Sequence, residues 1–195
     1  MIHLHDKTFV PFISSEELNF AIKNLAKQMD DDFFDEVPVF VGVLNGAFMV
    51  LSDLLKEYRG MCEVSFVKLS SYEGTQTTNQ VKQLIGLNEN LEGRTVVIVE
   101  DIIDTGNTIE ELKAIFKGKN VKHLKIATLF LKPDAYKKDI KIDYVGIRIP
   151  NKFIVGLSFV CNFSSLKKVS GISESSSNRT KKEGKSVILG AGDTF

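Results

Sequence analysis

An open α/β sheet, mostly parallel and flanked by helices, is the fold class this sequence predicts, and three observations predict it. Strand-like apolar runs alternate with segments of helical period along most of the chain. Val37–Leu44 is a continuous apolar run and Arg94–Val99 is rich in β-branched residues, the composition of strands covered on both faces. Small-residue turns then lead from strand to helix, the layout of right-handed parallel crossovers. The 195 residues, 43% of them hydrophobic, suit one core of ordinary size.

The elements follow in order. Ser14 and Glu17 form a capping-box pair, after which Leu18, Ile22, Leu25 and Met29 recur at helical spacing up to the acidic cluster Asp30-Asp31-Asp32. Val37–Leu44, opened by a proline, is a buried strand, and Gly46 leads into a helix over Ala47–Tyr58 with Met49, Val50, Leu54 and Leu55 inward. Cys62–Leu69 reads as a further strand. Ser70–Gln80 is polar, contains Gly74 and lacks either period, so it reads as a long mobile loop or a loose hairpin arm. Arg94–Val99 is a strand, Asn107–Phe116 a helix, and Leu124–Leu131 and Tyr144–Ile149 two more strands. Ligands of such sheets bind beyond the carboxyl ends of the strands, which directs attention to Asn45, Ser71, Glu100 and Lys132.

From Ser164 the composition shifts. The last 32 residues hold eight serines and four glycines, with no sustained apolar period before Val187-Ile188-Leu189. We therefore read residues 1–163 as the folded domain and 164–195 as a Ser/Lys/Gly-rich, largely disordered tail, with a small strand around Val187 as its one candidate element. Lys and Arg number 25 and so do Asp and Glu, but the balance is uneven: the tail carries six basic and three acidic residues, the body 19 and 22. A body without basic excess argues against nucleic acid as a partner. No apolar run approaches the ~20 residues that span a bilayer, and Met1–Thr8 lacks the apolar core of a signal peptide. Two cysteines, Cys62 and Cys161, in apolar strand-like context, are expected as buried structural thiols. The expectation is a soluble, cytoplasmic protein.

Chemistry concentrates in Val96–Thr108. A buried strand delivers Glu100 and Asp101, then Asp104, then a small-residue turn that opens a helix. Thr105, Gly106, Asn107 and Thr108 offer backbone N–H groups and hydroxyls at a helix N-terminus, where the dipole favours phosphate. Gly106 lets the backbone approach that anion closely. Carboxylates are poor phosphate ligands, so these face sugar hydroxyls or a divalent cation, and the loop as a whole points to a sugar phosphate. An isolated Asp-Thr-Gly is more often a plain capping turn; the carboxylates at the end of an apolar strand set this one apart.

Glu100-Asp101-Ile102-Ile103-Asp104-Thr105-Gly106 resembles the substrate-binding signature of the type I phosphoribosyltransferase family, and the rest of the chain resembles its hypoxanthine–guanine branch. Val43-Leu44-Asn45-Gly46-Ala47-Phe48 is similar to that family's pyrophosphate loop. Leu69-Ser70-Ser71-Tyr72 is similar to the start of its catalytic lid. Ala127–Lys132 and Ile149–Gly156 resemble its purine-binding segments. The match spans about residues 5–156. The resemblance implies that fold, with a small hood and a mobile lid loop, and transfer of ribose 5-phosphate from 5-phosphoribosyl 1-pyrophosphate to hypoxanthine or guanine with Mg²⁺. It implies Asp104 as general base near purine N7. Leu44, Asn45 and Gly46 would contact pyrophosphate; Glu100 and Asp101 would engage the ribose hydroxyls directly or through the metal; Asp104–Thr108 would cradle the 5′-phosphate. Lys132 would donate to the 6-oxo group, which adenine cannot match because its amino group does not accept. Phe153 would stack on the base, with Lys152 and the Ile154 backbone at its edge. Ser71 and Tyr72 would belong to a lid that keeps water from an oxocarbenium-like ribose. A homodimer or homotetramer is implied as well.

This chain departs from the family pattern at two places. Many relatives carry Lys where Asn45 stands. Past Gly156 the family's aspartate and arginine are expected near Val160 and Leu166, which can neither hold metal nor bind an anion, and its closing strand is not recognisable. Either the C-terminal sequence is scrambled, as by a frameshift, or the chain is a natural variant; both imply lowered turnover or purine affinity. The alternative function is a phosphoribosyltransferase-fold regulator that senses nucleotides, which would need a basic face were RNA its partner.

Overall fold

The computed structural model describes residues 2–4, 7–70, 82–85, 90–152, 154, 155 and 172–175. In chain order they form β1 (Ile2–Leu4), β2 (Lys7–Ile13), α1 (Ser15–Asp32), β3 (Val39–Leu44), α2 (Ala47–Glu57), β4 (Glu63–Ser70), β5 (Lys82–Ile85) and β6 (Thr95–Ile103). There follow α3 (Asn107–Lys117), β7 (His123–Leu131), β8 (Tyr144–Arg148), β9 (Ile154–Val155) and β10 (Ile172–Ser175). The main sheet runs β5-β4-β3-β6-β7-β8, with β4, β3, β6, β7 and β8 parallel and β5 antiparallel at its edge. A second, antiparallel sheet, β1-β2-β10-β9, is the small hood.

Burial explains the layering. The capping box of α1 is formed: the Ser14 hydroxyl accepts from Glu17 N at 3.2 Å and the Glu17 carboxylate from Ser14 N at 2.8 Å. Its apolar stripe, Leu18, Ile22, Leu25 and Met29, packs with Val50, Leu51 and Leu54 of α2 onto Phe40, Val97, Val99 and Leu129. On the other face, Ile109, Leu112 and Phe116 of α3 cover Val39, Val41, Val96, Ile98 and Ile126. A buried side chain of this size contributes about 1.5–3 kcal/mol and a capping residue about 1 kcal/mol, so the two apolar layers, more than the caps, hold the helices on the sheet. The acidic end of α1 is tied down: Asp30 accepts from the backbone N–H groups of Arg59 and Gly60 at 2.8 and 3.3 Å, and Asp32 from the Tyr144 hydroxyl at 2.6 Å.

Several boundaries differ from the sequence reading, each for a physical reason. β3 starts at Val39 because Pro38 has no N–H to give the ladder. Tyr58 is extended and ends α2, whose buried face is Ala47, Val50, Leu51 and Leu54, so that Met49, expected inward, is exposed. The strand expected over Arg94–Val99 continues to Ile103, so Glu100 and Asp101 belong to the strand and do not follow it. Of Ser70–Gln80, expected as a loop or hairpin arm, Ser70 closes β4 and the rest lies outside the described residues; beyond it Lys82–Ile85, a strand the sequence reading did not mark, pairs antiparallel with β4. In the C-terminal segment, Ile172–Ser175 forms a strand between β2 and β9. Four residues are too few for composition to reveal one, and the segment around Val187 lies outside the described residues. Cys62 is half-buried, packed under α1 and α2, and burial raises its thiol pKa; Cys161 lies outside the described residues.

Candidate active site

Strand register brings the candidate residues to the carboxyl edge of the main sheet. In the β6–β7 ladder Ile103 stands opposite Leu131, and Lys132 N donates to the Ile103 carbonyl at 2.9 Å. The next residues along, Asp104 and Lys132, therefore leave the sheet side by side. Lys132 is 5% exposed. Burial lowers its pKa, and the charge of the nearby Asp104 carboxylate opposes that shift. Asp104 is exposed, and its carboxylate accepts from the following N–H, that of Thr105.

The end of β6 departs from regular alternation. Successive side chains of a strand point to opposite faces. Val96 and Ile98 face the core under α3 and Val97 and Val99 the core under α1 and α2, but Ile102 packs on the α1–α2 side and Ile103 on the α3 side, so the alternation shifts at Glu100-Asp101. Both carboxylates are 8% exposed. Burial, then the neighbouring Asp101 charge, hold the Glu100 carboxyl well above the usual carboxylate range. Asp101 accepts from Ile102 N at 2.9 Å and reaches the start of α2: a Cβ on Gly46 would stand 2.6–2.7 Å from its carboxylate. Gly46 is thus the residue that lets the Leu44–Gly46 turn close onto the β6 carboxylates. The Leu44–Asn45 peptide is cis, and the Asn45 carbonyl accepts from Phe48 N at 3.4 Å.

Gly106 caps α3 in the left-handed region, with φ +84°, a conformation that favours glycine. Asn107 and Thr108 are the first two residues of α3, so the free N–H groups of its first turn open beyond Asp104 and Thr105. Sequence reasoning missed the neighbours of this turn. Tyr136 and Lys138, from the β7–β8 connection, lie directly on Gly106, and the only sequence signal for them was the basic doublet Lys137-Lys138 beside Lys132.

The segment predicted for the purine side begins where β8 ends. Ile149 N donates to the Leu131 carbonyl at 2.9 Å, Lys152 N to the Pro150 carbonyl at 2.7 Å, and buried Ile154 pairs with Glu174 of β10. The segment therefore passes from the main sheet into the hood. Phe153, Ser71 and Tyr72, three residues predicted for the site, lie outside the described residues. A cleft of about 370 Å³ lies instead at the amino ends of the strands, lined by Glu36, Val37, Glu63, Gly93, Arg94, Thr95 and Lys122. Its charged groups are engaged with one another, Arg94 with Glu63 at 2.9 Å and Lys122 with Glu36 at 2.5 Å, and sheets of this class bind ligands at the opposite end.

Known proteins match this arrangement. A family model described as a phosphoribosyl transferase domain matches residues 14–161. A hypoxanthine-guanine phosphoribosyltransferase of Streptococcus pyogenes serotype M3 is 40% identical over 164 residues, covering 83% of this chain and 91% of that protein. The one of Bacillus subtilis is 39% identical over 145 residues, 74% of this chain and 81% of that protein. A crystal structure of a hypoxanthine-guanine phosphoribosyltransferase from Bacillus anthracis, with a HEPES molecule in its active site, superposes with a TM-score of 0.76 at 36% identity, covering 87% of this chain and 99% of that one. A Trypanosoma cruzi hypoxanthine phosphoribosyltransferase in a ternary substrates complex superposes with a TM-score of 0.75 at 27% identity, covering 88% and 97%. On the family match and on relatives this similar over most of their length, the chain belongs to the phosphoribosyltransferase family, in its hypoxanthine–guanine branch.

Proposed function

We propose that this chain is a purine-salvage enzyme of the cytoplasm that transfers ribose 5-phosphate from 5-phosphoribosyl 1-pyrophosphate to N9 of hypoxanthine or guanine, giving IMP or GMP and pyrophosphate. The observation that carries this reading is the pairing of Asp104 with Lys132 by the β6–β7 register, beside a helix N-terminus on one hand and the purine-side segment on the other. A 6-oxopurine laid between them meets a donor at its carbonyl edge and an acceptor at its imidazole edge.

The residues then divide the reaction between them. As N9 bonds to the anomeric carbon and the bond to pyrophosphate breaks, positive charge grows on the imidazole ring. Asp104 takes the N7 proton as that happens, the work of a general base at hydrogen-bond reach. Lys132 donates to the 6-oxo group, and its burial strengthens that bond by excluding water. Lys152, Phe153 and Ile154 hold the base by stacking and through backbone groups. Thr105, Gly106, Asn107 and Thr108 hold the 5′-phosphate with the free N–H groups of α3. Leu44, Asn45 and Gly46 present backbone N–H groups to pyrophosphate, a neutral Asn45 standing where a lysine would add charge. Ser71 and Tyr72 open the segment to which we assign exclusion of water.

Glu100 and Asp101, adjacent in β6, are the carboxylates that would hold Mg²⁺. No group of three His, Cys, Asp or Glu residues converges among the described residues, and Mg²⁺ commonly takes one or two carboxylates together with substrate oxygens. When bound, Mg²⁺ spreads the charge that accumulates on the leaving pyrophosphate. A homodimer or homotetramer is the assembly we expect, in keeping with the exposed apolar side chains of Phe48 and Met49 on α2 and Val64 on β4. The deciding experiment is a pyrophosphate-release assay with hypoxanthine, guanine, xanthine and adenine in turn, each with 5-phosphoribosyl 1-pyrophosphate and Mg²⁺. Release with a 6-oxopurine and not with adenine supports the proposal; no release with any base overturns it.

A further inference from the structure

The turn that opens α3 brings charge of one sign only. Of Asp104 to Thr108, Asp104 is anionic and the others are neutral, while a phosphate monoester carries between one and two negative charges near neutral pH. Lys132, buried at this edge, leaves β7 beside Asp104, since Lys132 N donates to the Ile103 carbonyl. A second cation arrives from the β7–β8 connection. A Cβ on Gly106 would stand 2.8 Å from Lys138 Cγ and 2.5 Å from Tyr136 Cε2, so the lysine stem and the tyrosine ring lie on the turn itself. The Lys138 ammonium reaches forward to Glu110, in the first turn of α3, at 2.5 Å. The lysine side chain is 26% exposed and the glutamate 60%, so Glu110 is the looser member. The Tyr136 hydroxyl donates to the Ile140 carbonyl at 2.6 Å, which fixes the ring and the segment that carries Lys138.

We propose that Lys138 is a further 5′-phosphate-binding residue, held beside the turn by Glu110 and drawn to the phosphate when nucleotide binds. The inference rests on the reading of Asp104–Thr108 as the phosphate cradle. An ion pair to a largely exposed glutamate is weak, whereas a phosphate fixed at a helix N-terminus offers the same ammonium more charge and more acceptors. Glu110 then has two effects: it holds Lys138 close to the turn, and it competes with the phosphate for it. An ion pair that served only to brace the loop would respond alike to loss of either partner; a phosphate ligand held by a competitor would not.

The test is equilibrium binding of IMP, and of inosine, which lacks the phosphate, by isothermal calorimetry at fixed ionic strength. Lys138→Met is expected to weaken IMP by about 5- to 10-fold, the loss of one charge-assisted bond, with inosine unchanged. Lys138→Arg is expected to keep most of the affinity, and Glu110→Gln to tighten IMP by about 2-fold by removing the competitor. Weakening of IMP by both Lys138→Met and Glu110→Gln, equal losses for IMP and inosine, or no change in any variant would overturn the inference. If the wild-type protein binds neither ligand, the proposed function falls and this inference falls with it. Normal wild-type binding with same-sign variants sinks this inference alone.

Discussion

Asp104 and Lys132 owe their pairing to a single rung of the β6–β7 ladder, so each can be changed with the backbone left in place. Asp104→Asn keeps the shape and the hydrogen bond to Thr105 N but cannot take a proton. General-base loss predicts a fall in kcat of about 10²–10⁴-fold, read in the pyrophosphate-release assay, and full turnover by that variant would refute the assignment. Lys132→Met asks a different question. Burial works against the ammonium, so a methionine of similar length should leave the melting temperature equal to or above that of the wild type. Loss of its bond to the 6-oxo group, about 1.5–3 kcal/mol for a charged donor, should still lower kcat/KM for hypoxanthine by about 10- to 150-fold. A variant that melts earlier and keeps its activity would make Lys132 a structural residue. The family resemblance singled out both positions in the sequence, and the β6–β7 register sets them side by side. Tyr136 and Lys138 were not legible in the sequence, since only the folded β7–β8 connection lays them on Gly106.

Among the elements, legibility followed burial. The parallel strands of the main sheet and the three described helices announce themselves by apolar runs and helical period, because each must cover a large core. The edge strand β5 and the hood strands β1, β9 and β10 have four residues or fewer, and β2 carries Pro11, so no clear pattern marks them. The amino end of the main sheet is braced by polar groups that pattern also hides. Glu36, in the α1–β3 connection, accepts from the Lys122 ammonium and from the Thr95 hydroxyl, and these partners hold its carboxyl below the usual range. A depressed folded pKa means that the unfolded chain takes up its proton first as pH falls. The contribution of Glu36 to stability is therefore complete above a pH of 4.5, its ordinary value, and fades as pH drops through the folded value. Melting curves of wild type and Glu36→Gln should differ most near neutrality and converge below that pH. A difference that stays constant down the acid limb would show that the Glu36 charge is not what the brace uses.

At the scale of the whole molecule, the family match and the C-terminal sequence pull in different directions. The chain covers 91% of its Streptococcus pyogenes relative, yet Val160 and Leu166 stand where the family resemblance implies an aspartate and an arginine. If those two groups are what the chain lacks, V160D/L166R should raise kcat/KM for hypoxanthine or 5-phosphoribosyl 1-pyrophosphate, and an unchanged value would place the deficit elsewhere. The hood adds a constraint of its own. Its inner pair joins β2, near the start of the chain, to β10, near the end, and β10 in turn holds β9, which continues from the purine-side segment. On the ribosome the parallel sheet from β3 to β8 can assemble while the hood still waits for its last strand. Closing so long a loop comes late and costs chain entropy. A nascent chain would thus hold its parallel sheet well before the segment after β8 is fastened into the hood, and the purine site proposed there would be complete only once β10 had been made.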